Sequence, residues 1–325
     1  ACHVLQFGFV GETKKEDETD DDGVKKRHSD LREVHRAVFN EQVFNLINQE
    51  AFVPSLGVNV TGIRENHLQL NIDQEASVFI SLVSSTQPNR ISSEILLKQL
   101  FHEHVFVRAK NRKSNLLGHF CMSLAHRIFS YKVLTQLENL AKSVSYVSLV
   151  SHPTWTSRTS SWTLVVDVPP SILHSGKSQF HTKVVVIDDC INIEGEGAPN
   201  VVGLFKGKCE NSCSINRYDC NLADLHVILL QQVASQIIRW LHEEALSVGM
   251  KASRDFLSLC FEVEQGEVVG VVAHVDPEDG EGGISWWLVV GNGEEYKVER
   301  EKRYLGHLSL DVLYATLLDL LTMCS

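Results

Sequence analysis

Three of the eight cysteines, Cys209, Cys213 and Cys220, lie close enough in sequence to suggest a zinc site. Thiolates and imidazoles are good zinc ligands, and Cys190 and His181 could add to the set. The spacing C-x3-C-x6-C nevertheless lacks the paired C-x2-C knuckles of structural zinc sites. We therefore predict ordinary reduced thiols, no bound metal and no cofactor.

Asp188 and Asp189 are adjacent carboxylates that could bind magnesium or act as an acid and a base. They stand where one predicted strand ends and the next begins, so a hairpin turn explains them without any chemistry. If the chain were an enzyme, they would be its first candidate residues. The alternative function is therefore a small-molecule enzyme with a cleft between two α+β units.

The remaining catalytic motifs lack the spacing that their chemistry needs. The segment SGKS at 175–178 could end a phosphate-binding loop, but that loop needs a glycine where Ser171 stands. His102 and His104 would point about 200° apart on a helix and could not chelate one ion. The sequence also has no nucleophile-elbow signature. We predict no catalytic residue and no enzymatic activity.

The charge balance limits the partners. The net charge is −11, which disfavours sequence-independent binding to nucleic acid and to anionic membrane surfaces. No apolar run reaches the roughly 18 residues that a membrane span needs. Because the sequence begins at Ala1, without methionine or a signal peptide, we expect a fragment of a longer protein.

The elements that would position these residues follow from hydrophobic spacing. Apolar residues at intervals of three and four predict a long helix over 222–248, ended by Gly249. Its stripe from Leu225 to Trp240 should pack on a meander that includes residues 256–275. A helix this apolar needs cover from a sheet and from something else, which favours a protein-contact role. The meander strands are predicted at 256–264, 268–275, 284–290 and 296–301, and a helix over 309–323 follows.

Upstream, the pattern predicts two more helix–strand groups. Residues 1–30 read as a disordered acidic linker. The first α+β unit, 31–113, has a helix whose apolar positions include Val34, Val38 and Ile47, three strands and a second helix. The second unit, 114–325, begins with a helix over 116–142, and residues 209–221 read as a polar loop. Its first strands are predicted near 144–151, 161–168, 181–188, 191–194 and 201–205. The fold class is therefore α+β, with helices packed on antiparallel β-meanders in tandem helix–meander–helix units.

Two apolar features exceed what one core requires. Adjacent tryptophans in a strand face opposite ways, so one can point into the core while the other faces a helix, solvent or a partner. The closing helix carries more apolar residues than one buried face needs, with Asp311 and Asp319 at a polar edge. The candidate partner interface consists of Trp286, Trp287, Val312, Leu313, Leu317 and Leu321.

Four ordered segments resemble one known family. They are REVHRAVFNEQVFNLINQEA at 32–51, LQLNIDQEASVFISLVSS at 68–85, QIIRWLHEEALSVGMKASRDFLSLCFEV at 236–263 and YLGHLSLDVLYATLLDLL at 304–321. In order and spacing they resemble the C-terminal half of the family of Mediator of RNA polymerase II transcription subunit 17. The sequence around Trp240 and the segment HVDPEDGEGGISWWLVV are most similar to plant members of the family.

This resemblance implies a nuclear, non-enzymatic scaffold of the Mediator head module. Its expected partners are other head subunits, notably subunits 11 and 22, and indirectly RNA polymerase II. The resemblance therefore implies a transcription coactivator that helps to link activators to the polymerase. It carries over no catalytic, metal or cofactor residue, and no direct contact with specific DNA sequences or with membranes.

Overall fold

The chain forms two compact units, residues 1–125 and 126–325. The division falls inside the third helix. In the described part of the chain no helix is long and apolar enough to cross a membrane. The computed structural model describes residues 3–8, 20–52, 59–64, 67–73, 76–82, 91–108, 115–152, 158–173, 177–197, 215–262, 267–280, 282–292 and 301–324.

The first unit packs helices on a four-stranded sheet of order β1-β4-β3-β2. Neighbouring strands are antiparallel except for β1, which runs parallel to β4. Buried residues alternate along the inner strands, as in Leu68 and Leu70 or Val78 and Ile80, so one sheet face forms the core. The elements are β1 (His3–Gly8), α1 (Asp20–Ala51), β2 (Asn59–Arg64), β3 (His67–Asp73), β4 (Ala76–Ser81), α2 (Ile91–Arg108) and the start of α3 (Leu116–Ser143).

Helix α1 begins at Asp20 rather than near Leu31, and β1 also lies in the segment that the sequence assigned to a disordered linker. Highly charged sequence fits a solvated helix as well as a disordered linker, because opposite charges three or four residues apart support a helix. Lys26 and Asp30 have this spacing, as do Glu33 and Arg36. Residues 9–19 of the expected linker lie outside the described residues.

The second unit begins with an antiparallel sheet of order β5-β6-β7-β8-β9. Strand β9 corrects a prediction, because residues 209–221 were expected to form a polar loop. As an edge strand it is held by backbone hydrogen bonds to β8, and so it needs no apolar alternation. The strand predicted at 201–205 lies outside the described residues. The strands are β5 (Val147–His152), β6 (Thr159–Asp167), β7 (Gln179–Ile187), β8 (Cys190–Glu196) and β9 (Ile215–Cys220).

A second antiparallel sheet, of order β10-β11-β12-β13-β14, completes this unit. The predicted meander is confirmed; its last described strand is 301–306, and residues 296–300 of the strand predicted at 296–301 lie outside the described residues. The elements are α4 (Leu225–Ser247), β10 (Ala252–Arg254), β11 (Ser258–Glu262), β12 (Glu267–Val275), β13 (Ile284–Asn292), β14 (Glu301–Gly306) and α5 (Leu310–Cys324).

Helix α4 contacts both sheets of the second unit. On one side Gln236 Nε2 donates to Thr182 Oγ1 of β7 over 2.8 Å, and Gln232 Nε2 donates to the carbonyl of Glu196 of β8 over 2.7 Å. On the other side the helix meets β10, β11 and β12. Leu225, Leu229, Val233, Ile237 and Trp240 are buried in one core with both sheets, which confirms the predicted stripe. Cover on two sides explains why the helix is apolar nearly all round.

The end of α4 is also as predicted. Gly249 has φ +89°, which is the left-handed conformation that glycine adopts freely. Its amide donates to the carbonyl of Leu246, and the amide of Met250 donates to that of Ala245. These two bonds form a Schellman motif and satisfy carbonyls that the helix leaves unpaired. With five helices and sheets that are antiparallel except for the β1–β4 pair in the described residues, the predicted α+β class is confirmed.

Candidate functional site

Helix α5 divides the predicted interface residues into two groups. It begins after Ser309, whose carbonyl accepts the amide of Leu313 over 3.0 Å. Leu313 and Leu317 are buried in the unit's own core, so they face the protein interior and not a partner. Val312 is 48% exposed on the opposite side. The side chain of Leu321 lies outside the described residues.

The two tryptophans of β13 separate in the same way. Trp286 is fully buried opposite Ala273 of β12, so this member of the predicted interface belongs to the core. Trp287 points to the other sheet face, where it is half-buried. Its ring lies 4.9 Å, between centroids, from that of the exposed Tyr304 on β14. The expectation that only one tryptophan lies in the core is confirmed.

The outward side of α5 is an apolar strip formed by Val312, Ala315 and Leu318, which we name the α5 strip. These positions are three residues apart, so they line one helix face. Leu318 is 39% exposed, and the carboxylates of Asp311 and Asp319 flank the strip. Exposed apolar side chains that adjoin one another are typical of contact surfaces.

A recess of about 300 Å³ adjoins the first turn of α5. Its lining includes Asp311 and Asp167. The Asp167 carboxylate is fixed by hydrogen bonds from Ser148 Oγ over 3.1 Å and Gln179 Nε2 over 2.8 Å. Polar groups therefore border the α5 strip at its N-terminal end.

Asp188 and Asp189 form the two-residue turn between β7 and β8, as predicted, since Ile187 and Cys190 are paired on either side. Asp188 has φ +57°, a conformation that aspartate tolerates at turns. Its carboxylate forms an ion pair with Arg158, and its amide donates to the carbonyl of the same arginine over 3.0 Å. Asp188 therefore stabilises the turn between β7 and β8 through its contacts with Arg158.

A buried histidine ties α3 to this turn. His126 Nδ1 donates to the carbonyl of Asp188 over 2.9 Å, so its Nε2 is the acceptor in the neutral ring. The hydroxyls of Ser160 and Ser130 lie 3.0 and 3.1 Å from that Nε2. A serine beside an imidazole resembles a nucleophile and its base. Because His126 and Ser130 are both buried, however, the group serves to anchor the helix.

Three of the described thiols, Cys121, Cys190 and Cys220, have raised pKa values. Burial raises the pKa of Cys121 to about 12, and burial together with Asp224 and Asp219 raises that of Cys220 to about 12. The charge of Asp189 raises the pKa of the exposed Cys190. A raised pKa favours the neutral thiol over the thiolate, and the thiolate is the form that attacks substrates and binds metals. Within the described residues no three His, Cys, Asp or Glu side chains are grouped to hold a metal. Cys209 and Cys213 lie outside them.

The other tested motifs have structural partners where they are described. Lys177 Nζ lies 2.6 Å from Glu196 Oε2, while residues 174–176 of the SGKS segment lie outside the described residues. His102 stacks on Phe39 with ring centroids 5.1 Å apart, and the side chain of His104 is likewise outside.

Sequence reasoning missed one exposed surface, on α1. Val34 and Val38 were assigned to apolar positions of this helix, and both are exposed, as are Val24 and Leu31. Among the described residues of α1, those from about Phe39 onward pack on the first unit's core. The signal that could have revealed this surface is the seven-residue spacing of Val24, Leu31 and Val38.

Comparison with known proteins gives a match over most of the chain. The Mediator of RNA polymerase II transcription subunit 17 of Arabidopsis thaliana is 47% identical over an alignment of 381 positions, which covers 97% of this chain. The chain spans 58% of the length of that relative. No family model matches the chain.

Proposed function

This chain belongs to the family of Mediator of RNA polymerase II transcription subunit 17, and we propose that it is a non-enzymatic scaffold of the Mediator head module. In this role it acts in the nucleus as part of a transcription coactivator that links activators to RNA polymerase II. The observation that carries the proposal is the 47% identity, which extends over 97% of the chain and thus over both structural units.

The absence of chemistry in the described residues supports a scaffold role. Asp188 is paired with Arg158, His126 is buried, and Cys220 has a raised pKa. The partners in this proposal are other head subunits, notably subunits 11 and 22, and through them RNA polymerase II. A net charge of −11 supports protein contacts rather than direct contact with DNA.

The contact surface in this proposal is the α5 strip, with Trp287 and Tyr304 as a second apolar surface on β13 and β14. Val312 and Leu318 expose large side chains, whereas Leu313 and Leu317 hold the helix to its own core. A scaffold needs this combination, because the core residues fix the helix and the outer ones remain available for a partner.

Co-expression of the chain with the head subunits tests the proposal. The double variant Val312→Asp and Leu318→Asp places two charges on the α5 strip without touching the core. It should recover subunits 11 and 22 at least about tenfold less than the parent chain, since burying an unpaired charge in an interface costs more than 1.4 kcal/mol.

The control is Thr135→Asp, which adds one such charge at an exposed position of α3. It should leave recovery unchanged, and circular dichroism should show the same fold in all variants. Full recovery of the head subunits by the folded double variant would overturn the α5 interface. If the parent chain itself recovers no head subunit, the scaffold proposal is wrong.

A further inference from the structure

The first half of α1 has an apolar face that the described residues of its unit do not cover. Val24, Leu31 and Val38 are 67%, 68% and 46% exposed. The residues that α1 buries come later, among them Val43 and Ile47. At about 100° per residue, Leu31 and Ile47 point roughly 160° apart. Helix α1 therefore has two opposite apolar faces, and one of them remains uncovered.

The spacing on the uncovered face is that of a coiled-coil seam. The three apolar residues are seven apart, and His28, His35 and Gln42 each follow one of them by four. Alternating steps of four and three keep all six on one side of a helix. We name this set the α1 seam: Val24, His28, Leu31, His35, Val38 and Gln42.

The shape of the surface agrees with the spacing. Five of the six seam residues line a groove of about 660 Å³, all except Val24. Phe39 of α1 and His102 of α2 also line the groove, and their rings are stacked with centroids 5.1 Å apart. Among the described residues, the groove lining contains Arg32 and Arg36 and no carboxylate. A concave surface along a helix is the form that accepts a second helix.

The charge of this segment selects the partner. Residues 24–38 contain five basic and two acidic residues, and the three aspartates at 20–22 that begin α1 precede them, in a chain whose net charge is −11. Arg27 and Arg32 directly follow or precede seam positions, where coiled coils place the charges that choose a partner. A second copy of the chain would bring like charges together, whereas an acidic helix would bring opposite ones.

We propose that the α1 seam binds an acidic amphipathic helix of a partner protein. Apolar side chains of that helix pack between Val24, Leu31 and Val38, and its Asp and Glu residues pair with Arg27 and Arg32. The imidazoles of His28 and His35 sit in the seam as polar members that fix the register, as single polar seam residues do in coiled coils. The proposal goes beyond the scaffold role, since it names the surface and the chemistry of its partner.

Peptide binding to the purified full chain tests the seam. The probe is a labelled peptide of about 21 residues, three heptads long, with Leu at its seam positions and Glu at the flanking ones. A twin peptide has Lys in place of every Glu. We expect the acidic peptide to bind at least about tenfold more tightly than its basic twin by fluorescence anisotropy, with affinity falling as salt rises.

The double variant Leu31→Ser and Val38→Ser should weaken the acidic peptide at least about tenfold, because apolar seam residues carry most of such binding. The matched control is Leu318→Ser with Val312→Ser, which removes an exposed leucine and an exposed valine from α5. This control should bind the peptide as the parent chain does.

Three results would overturn the proposal. The first is equal affinity of the chain for the acidic and the basic peptide, and the second is a loss of peptide affinity in the α5 control as large as that in the seam variant. The third is a DNA duplex that the chain binds more tightly than the acidic peptide and that the seam variant still binds. Self-association that the seam variant abolishes would instead identify a second copy as the occupant. None of these outcomes involves head subunits, so failure here is distinct from failure of the scaffold proposal.

Discussion

Replacing Trp240 tests whether α4 is the centre of the second unit's core. Its side chain is fully buried, and its ring is stacked on that of Tyr314 of α5 with centroids 6.1 Å apart. Helix α4 meets strands of both sheets, so neither sheet can move freely to fill a gap at this position. Trp240→Ala should therefore leave a cavity rather than let the site collapse.

The expected cost is roughly 3–5 kcal/mol, the range for large aromatic truncations in cores. For a domain of about 200 residues, each kcal/mol lowers the melting temperature by about 2–4 °C, so the shift should be roughly 6–20 °C. Trp240→Phe should cost less, about 1–2 kcal/mol. In the described residues the indole Nε1 of Trp240 has no hydrogen-bond partner, so phenylalanine removes an unsatisfied donor while it keeps most of the ring.

Chemical unfolding followed by tryptophan fluorescence is the suitable assay, because all five tryptophans lie between residues 155 and 287, in the second unit. Four remain in the variant to report unfolding. Val312→Ala, at an exposed position of α5, should change the free energy of unfolding by less than about 0.5 kcal/mol. A Trp240→Ala loss below about 1 kcal/mol, or one no greater than that of Trp240→Phe, would refute the central position of α4.

Two further outcomes concern a helix cap and a histidine. The carboxylate of Glu50 accepts the amides of Leu116 and Leu117 over 3.2 and 2.6 Å at the start of α3. Glu50→Ala should therefore cost about 1–2 kcal/mol and speed hydrogen exchange of those two amides, whereas unchanged exchange would contradict this cap. Burial, with the charge of Arg254, lowers the pKa of His242 below its ordinary 6.5, so the fold favours the neutral ring. This contribution to stability is present above pH 6.5 and is lost as the pH falls through the lowered pKa. The free energy of unfolding in urea should therefore fall less between about pH 7.5 and 5.5 for His242→Gln than for the parent chain.

Much of the local structure was predictable from the sequence. The spacing of apolar residues from Leu225 to Trp240 predicted α4, and Gly249 predicted its end. The hairpin at Asp188 and Asp189 followed from two residues between strand patterns. These features depend on backbone geometry within a few residues. That local geometry can be predicted from the spacing of side chains and from the residue types that turns prefer.

Tertiary structure alone decided which apolar residues are covered. Val312 and Leu313 are neighbours of similar character, yet one is exposed and the other buried. Leu31 and Ile47 belong to one helix, and only Ile47 meets a core. Residues 215–220 were expected to belong to a polar loop, yet their backbone bonds to β8 make them a strand. Periodicity shows how a segment folds, whereas burial depends on which distant segments lie against it, and those contacts are not encoded in the spacing of the segment itself.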